Sequence, residues 1–158
     1  MQVNNLYTQF DTPRGIARAV DGVSFSLERG KTLGIVGESG SGKSVLSRTI
    51  IDILAKDGSV LFDGEIIFEG CDLRTLSERE MREIRGKEIA MVFQNPMSSL
   101  NPVKKIGKQI TEVLTKRLGM SSHLAKIRAV ELINSVGIPD AEQQLERYPM
   151  HLSGGMRQ

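Results

Sequence analysis

The chain has 158 residues, with 21 Lys and Arg against 19 Asp and Glu and a formal net charge of +2. That length suits one domain with its own core, and the charge balance gives no reason to expect nucleic acid or an anionic membrane surface as a partner. The single cysteine, Cys71, excludes a disulfide framework or a cysteine-based metal site within the chain and fits a reduced, cytoplasmic setting. The first residues, Met1 to Leu6, lack the basic-then-apolar profile of a signal peptide, and nowhere do about 18 apolar residues run together. Membrane association is therefore expected only through a partner protein.

In chain order, residues 3–10 and 18–28 read as strands, the second with Val23, Phe25 and Leu27 alternating against Ser24, Ser26 and Glu28. Asp11 to Gly15 is a turn between them. Phe10 ends the first strand, where it could stack on a purine ring, although spacing alone favours an ordinary core or edge aromatic. The run Thr32 to Val36 predicts a buried strand. It leads into Gly37-Glu38-Ser39-Gly40-Ser41-Gly42-Lys43-Ser44, which fits the template of Gly, four residues, Gly, Lys, Ser. Its glycines let successive backbone N–H groups curl toward phosphate oxygens at the start of the following helix, whose dipole adds partial positive charge. Lys43 supplies a point charge for the β- and γ-phosphates, and the Ser44 hydroxyl suits Mg²⁺.

Leu46, Ile50, Ile53 and Leu54 share one face of a helix expected to end near Ala55, with Asp57-Gly58 as the stop. Two short runs, 59–62 and 65–68, flank Asp63-Gly64, a pair suited to a tight hairpin turn. Ser77 to Glu80 carries a capping pattern for a short charged helix that reaches about Arg85 and breaks at Gly86. Ile89 to Phe93 predicts a second buried strand beside the first, ending at Gln94, whose amide is well placed for a ligand. Beyond Val103 the spacing is helical. Ile106, Ile110, Val113, Leu114 and Leu118 form one apolar face, and Leu124, Ile127, Val130, Leu132, Ile133 and Val136 form a second before Gly137.

Three features stand in order: the glycine loop, a strand ending in Gln94, and Leu152-Ser153-Gly154-Gly155-Met156-Arg157-Gln158 after a helical insertion. Together they resemble the ATPase subunit of ABC transporters, the final seven residues matching that family's signature sequence. GESGSGKS, IRGKEIAMVFQNPMSSLNPVKKIGKQI and YPMHLSGGMRQ resemble more narrowly the oligopeptide/dipeptide import branch, which includes nickel importers. The resemblance implies an α/β fold: a P-loop NTPase, RecA-like core with an antiparallel β subdomain and an inserted helical subdomain. Residues 1–95 would be the nucleotide-binding core, 96–152 the helical part and 153–158 the start of the signature helix.

The same resemblance implies ATP and Mg²⁺ as cofactors, with Phe10 stacked on adenine and Gly37, Glu38, Ser39, Gly40, Ser41, Gly42, Lys43 and Ser44 around the phosphates. Ser44 and Gln94 would serve Mg²⁺, and Gln94 would link Mg²⁺ and the γ-phosphate to the membrane partner. Ser153, Gly154 and Gly155 would contact ATP held by a second ATPase subunit, identical or related. Membrane-spanning permease subunits and, indirectly, a substrate-binding protein complete the set, with the protein peripheral on the cytoplasmic face of the inner membrane and no nucleic acid partner.

The departure from the family is that its Mg²⁺-binding aspartate, catalytic glutamate and switch histidine follow the signature and find no match here. His123 and His151 are in other positions, and Cys71 reads as a bystander. The expectation is an amino-terminal fragment that binds nucleotide and is inactive by itself. The alternatives are a non-hydrolysing remnant and a soluble ABC-type ATPase of DNA repair or translation. Coiled-coil or tandem-domain insertions, usual in the latter, are lacking.

Overall fold

The computed structural model describes residues 1–55, 57–93 and 99–157. These divide into two compact units, Met1–Arg85 and Gly86–Gln158.

The first unit is built on a four-stranded antiparallel sheet. Strands β1 (Gln2–Thr12), β2 (Gly15–Ser26), β3 (Val60–Phe68) and β4 (Cys71–Asp72) lie in the order β2-β1-β3-β4. The β1–β2 turn is tight because Thr12 donates its hydroxyl to the Gly15 carbonyl at 2.6 Å. The inner face buries Val3, Leu6 and Thr8 of β1, Val20 of β2 and Ile66 of β3, the step of three from Val3 to Leu6 crossing an irregularity in β1. Helix α1 (Lys43–Ile50) packs on this sheet through Leu46 and Thr49.

Helix α2 (Glu78–Ile84) starts where the sequence places it. The Ser77 hydroxyl accepts from the Glu80 N–H while the Glu80 carboxylate accepts from the Ser77 N–H, a reciprocal cap. Met81 anchors α2 in the core at 1% exposure.

Three expectations for this unit are corrected. No hairpin forms at Asp63-Gly64, because β3 runs straight through from Val60 to Phe68 beside β1. The pair instead faces an irregularity in β1 between Asn4 and Tyr7, and a Cβ on Gly64 would stand 2.4 Å from the Asn5 carbonyl oxygen. Turn chemistry and bulge chemistry both favour glycine at positive φ, and local sequence does not distinguish them. Helix α1 ends at Ile50, short of Ala55, because Asp52 turns left-handed at φ 51°. Residues 32–36 form no strand, and Val36 is 95% exposed. A strand exists by lateral pairing, and among the described residues none pairs with this run.

The second unit is helical: α3 (Ile106–Lys116), α4 (Ser122–Ser135), α5 (Ala141–Leu145) and α6 (Gly154–Arg157). Its core gathers Ile106, Leu114, Ala125, Ala129, Ile133, Ala141, Leu145 and Leu152. The face of α4 differs from the expectation. Ala125 and Ala129 are fully buried, whereas Leu124, Ile127 and Val136 are exposed. Small side chains let a neighbouring helix approach closely, so the buried stripe follows packing distance more than side-chain size. Val113 and Leu118 are likewise exposed, and 89–93 forms no ladder strand, with Val92 93% exposed. Among the described residues no helix is long and apolar enough to cross a membrane.

Candidate functional site

The loop before α1 owes its shape to three glycines. Gly40 and Gly42 sit at φ 84° and 86°, a region where side chains are strained. Gly42 is the residue before the helix and offers no side-chain cap. A Cβ there would lie 2.0 Å from the Ala19 carbonyl oxygen on β2, so the loop's end can approach the sheet only as glycine. A Cβ on Gly37 would stand 2.6 Å from the Ser41 hydroxyl. The helix begins its own ladder with Leu46 N–H on the Gly42 carbonyl at 2.8 Å, which leaves the N–H groups of Lys43, Ser44 and Val45 without intrahelical acceptors.

Lys43 folds back over this loop. Its ammonium donates to the Gly37 carbonyl at 2.7 Å, the Glu38 carbonyl at 2.6 Å and the Ser41 hydroxyl at 3.1 Å. The Ser41 N–H closes the turn on the Glu38 carbonyl at 3.2 Å. The turn thus combines one cation, a helix start with free N–H donors and a backbone that tolerates no side chain at Gly42. No acidic residue occupies the first turn of α1 to oppose an anion. Ser44 is exposed on that turn. Among the described residues no group of three His, Cys, Asp or Glu side chains is disposed to hold a metal ion.

Phe10 is half-buried in β1, paired with Ala17 of β2 on one side and Val60 of β3 on the other. Ala17 lies two residues before Ala19, whose carbonyl meets Gly42, so Phe10 and the end of the loop adjoin the same stretch of β2. Gln94 lies outside the described residues.

The other candidates belong to the second unit. Ser153 precedes α6 and caps it, its hydroxyl accepting from the Met156 N–H at 3.3 Å, and Ser153, Gly154 and Gly155 are all exposed. Leu152, 5% exposed, anchors this turn in the helical core, and Arg157 ties it down by donating Nε to the Leu152 carbonyl at 2.9 Å. His151 bonds locally, its Nδ1 accepting from the Tyr148 N–H at 3.4 Å. Cys71 is free and exposed. A concavity of about 630 Å³ lined by Lys105, Lys126, Ile127 and Glu142 contains none of these residues.

Sequence reasoning missed the supports of the loop. Thr8 and Thr49 meet in the core, and Arg85 engages the far end of α1. Both contacts join positions more than thirty residues apart, and neither has a local signature.

The loop is a glycine turn closed by its own lysine at a helix start, on a sheet-and-helix scaffold. The ABC transporter family profile matches residues 20–158, and the chain belongs to that family. It is 52% identical over 158 residues to the oligopeptide transport ATP-binding protein OppD of Bacillus subtilis (strain 168), covering all of this chain and 44% of that protein. It is 51% identical over 159 residues to the dipeptide transport ATP-binding protein DppD of Lactococcus lactis subsp. cremoris (strain MG1363), covering all of this chain and 45% of that one. The chain thus spans a little under half the length of these curated relatives. In fold it is similar to the dimeric bacterial ABC transporter cassette MJ0796, with a TM-score of 0.81 at 23% identity, covering 99% of this chain and 64% of that one. A post-hydrolysis dimer of the same cassette, bound to ADP and Pi, matches at a TM-score of 0.78 and 22% identity, with the same coverage.

Proposed function

We propose that this chain is the nucleotide-binding part of an ATP-binding subunit that couples ATP binding and hydrolysis to peptide import. The observation that carries the reading is the loop itself. Lys43 is bonded across Gly37, Glu38 and Ser41, and Gly42 is pressed on Ala19, in a chain about half identical to ATP-binding proteins of oligopeptide and dipeptide transport.

In this reading the backbone N–H groups of residues 37–44 and the Lys43 ammonium hold and orient the phosphates of ATP. Phe10 offers a face to adenine, and Ser44, together with Gln94, serves Mg²⁺, which when bound neutralises charge on the β- and γ-phosphates. Ser153, Gly154 and Gly155 act on ATP held by a second ATPase subunit, identical or related, and the chain divides functionally into 1–95, 96–152 and 153–158. Permease subunits in the membrane are the direct partners and a substrate-binding protein an indirect one, which places the protein at the cytoplasmic face of the inner membrane.

The test is a chimaera in which these 158 residues replace the matching segment of the Bacillus subtilis oligopeptide transport protein. Restored uptake of a labelled oligopeptide, lost again with Lys43→Ala, is the expected result. A chimaera that binds ATP but leaves uptake at the level of the deletion strain contradicts the assignment to peptide import.

A further inference from the structure

We propose that Arg85 is a positioning residue for the phosphate loop, acting from the opposite end of α1. The inference rests on the reading that Gly37 to Ser44 binds nucleotide phosphates.

Arg85 follows α2 and is 20% exposed, and its guanidinium spends its donors on the end of α1. Nε donates to the Ile51 carbonyl at 2.7 Å, and Nη2 donates to the Asp52 carbonyl and to the Asp52 carboxylate at 2.9 Å. Nη1 donates to Glu78 Oε1 at 2.9 Å, tying the clamp to the first turn of α2. These carbonyls are the orphan acceptors and the negative pole of a helix end, where a cation is favoured. The clamp also holds Asp52 at φ 51°, where the Ile53 N–H reaches back to the Arg48 carbonyl at 3.1 Å. A planar fork meeting three oxygens fixes direction as well as distance, which a lysine cannot reproduce.

Between the clamp and the loop, α1 lies on the sheet through Leu46, 5% exposed, and Thr49, whose hydroxyl meets that of Thr8 at 2.9 Å. A closely packed helix moves as one body, so a shift of its clamped end is carried along the helix to the loop. There Gly42 meets the Ala19 carbonyl with no room to move inward. Arg85 thus sets where the Lys43, Ser44 and Val45 N–H groups stand relative to the sheet, without touching the nucleotide.

The test is titration of the 158-residue chain with a fluorescent ATP analogue (mant-ATP) in the presence of Mg²⁺. It compares wild type, Arg85→Gln, Arg85→Lys and Lys43→Ala at a temperature well below every melting point, with circular dichroism confirming unchanged helix content. Coupling through a packed element is typically worth about twofold to thirtyfold in affinity. Arg85→Gln should show a loss of that size, with Arg85→Lys between it and wild type, a partial rescue that loss of fold alone does not produce. If Arg85→Gln does not fold, Asp52→Asn, which tolerates the left-handed backbone, should bind measurably more weakly than wild type, and equal affinity there overturns the inference. Binding that is lost in Lys43→Ala but unchanged in folded Arg85→Gln overturns the positioning role and leaves the phosphate site standing. No binding by wild type overturns the phosphate site, and the positioning role with it.

Discussion

The hydroxyl oxygens of Thr8 and Thr49 stand 2.9 Å apart with both residues buried, at 0% and 4% exposure. Thr49 also donates to the Val45 carbonyl one turn back at 2.9 Å, so its single proton is committed and Thr8 is the donor between them. The pair fastens the helix that follows the glycine loop to β1, one of the two inner strands of the sheet.

Thr49→Val keeps the shape and removes the acceptor, leaving the Thr8 hydroxyl buried without a partner, at a cost of about 1–3 kcal/mol. The double variant Thr8→Val, Thr49→Val should recover most of that loss, because two apolar groups of the same shape leave nothing unsatisfied. Urea unfolding of the single and double variants measures it. Additive losses would mean that the hydroxyls do not bond to each other.

At the loop, Gly42→Ala and Gly37→Ala should differ sharply. The new Cβ at Gly42 meets backbone at 2.0 Å in a strained φ region, whereas that at Gly37 meets the rotatable Ser41 hydroxyl at 2.6 Å. Backbone cannot yield without moving β2, and a serine rotamer can. Gly42→Ala should lose ATP binding altogether while Gly37→Ala retains a weakened site, as read by fluorescence titration. Equal losses would remove the Ala19 contact from the explanation.

The readable and unreadable parts of the chain separate by the range of the interactions that decide them. The glycine pattern with Lys43 and the Ser77 cap are legible because each is a local sequence feature, whereas the Ala19 contact that demands glycine at 42 is not. The apolar content of 32–36 predicts a buried strand, but strand identity is set by a lateral neighbour that local content does not reveal. Asp63-Gly64 carried a signal for positive φ that a bulge satisfies as well as a turn does. On α4 the long apolar residues point to one buried face, whereas the buried stripe is Ala125, Ala129 and Ile133, each one turn from the next. Thr8 with Thr49, and Arg85 with Asp52, left no trace in spacing, since each pair is brought together only by the folded sheet and helix.

The Ser77 cap has a pH signature. The Ser77 hydroxyl, and after it the Ser77 N–H, hold the Glu80 carboxyl below its ordinary value by bonding to the charged form. A group whose pKa is lower in the folded than in the unfolded chain stabilises the fold fully above the unfolded value, and loses that contribution as pH falls through the folded one. Ser77→Ala should raise the Glu80 pKa toward the free carboxylate and shrink the acid dependence of α2. Carbon-detected NMR titration of Glu80 reads this directly. An unchanged titration in the variant would show that the hydroxyl bond is not its cause.

A polypeptide of these 158 residues should bind ATP without sustained turnover. Hydrolysis needs a side chain that orients the attacking water beside the phosphates. Of the acids around α1, Glu38 lies inside the glycine loop itself, and two others are otherwise engaged. Asp52 is under Arg85 at the opposite end of α1, and Asp63 bonds the Gly64 N–H and Arg74. Phosphate release with Mg-ATP should match that of Lys43→Ala, and release well above that control would point to a base within this chain.

The most direct measurement is calorimetric titration of Mg-ATP into the wild-type chain and into Lys43→Ala. The Lys43 ammonium is the only side-chain cation bonded into the loop among the described residues, and a charge-assisted contact of this kind is worth about 1.5–3 kcal/mol. Wild type should therefore bind with roughly tenfold to a hundredfold higher affinity than the variant, at one nucleotide per chain. Equal affinity in the two proteins, or no binding by wild type, would contradict the assignment of Gly37 to Ser44 as the nucleotide site.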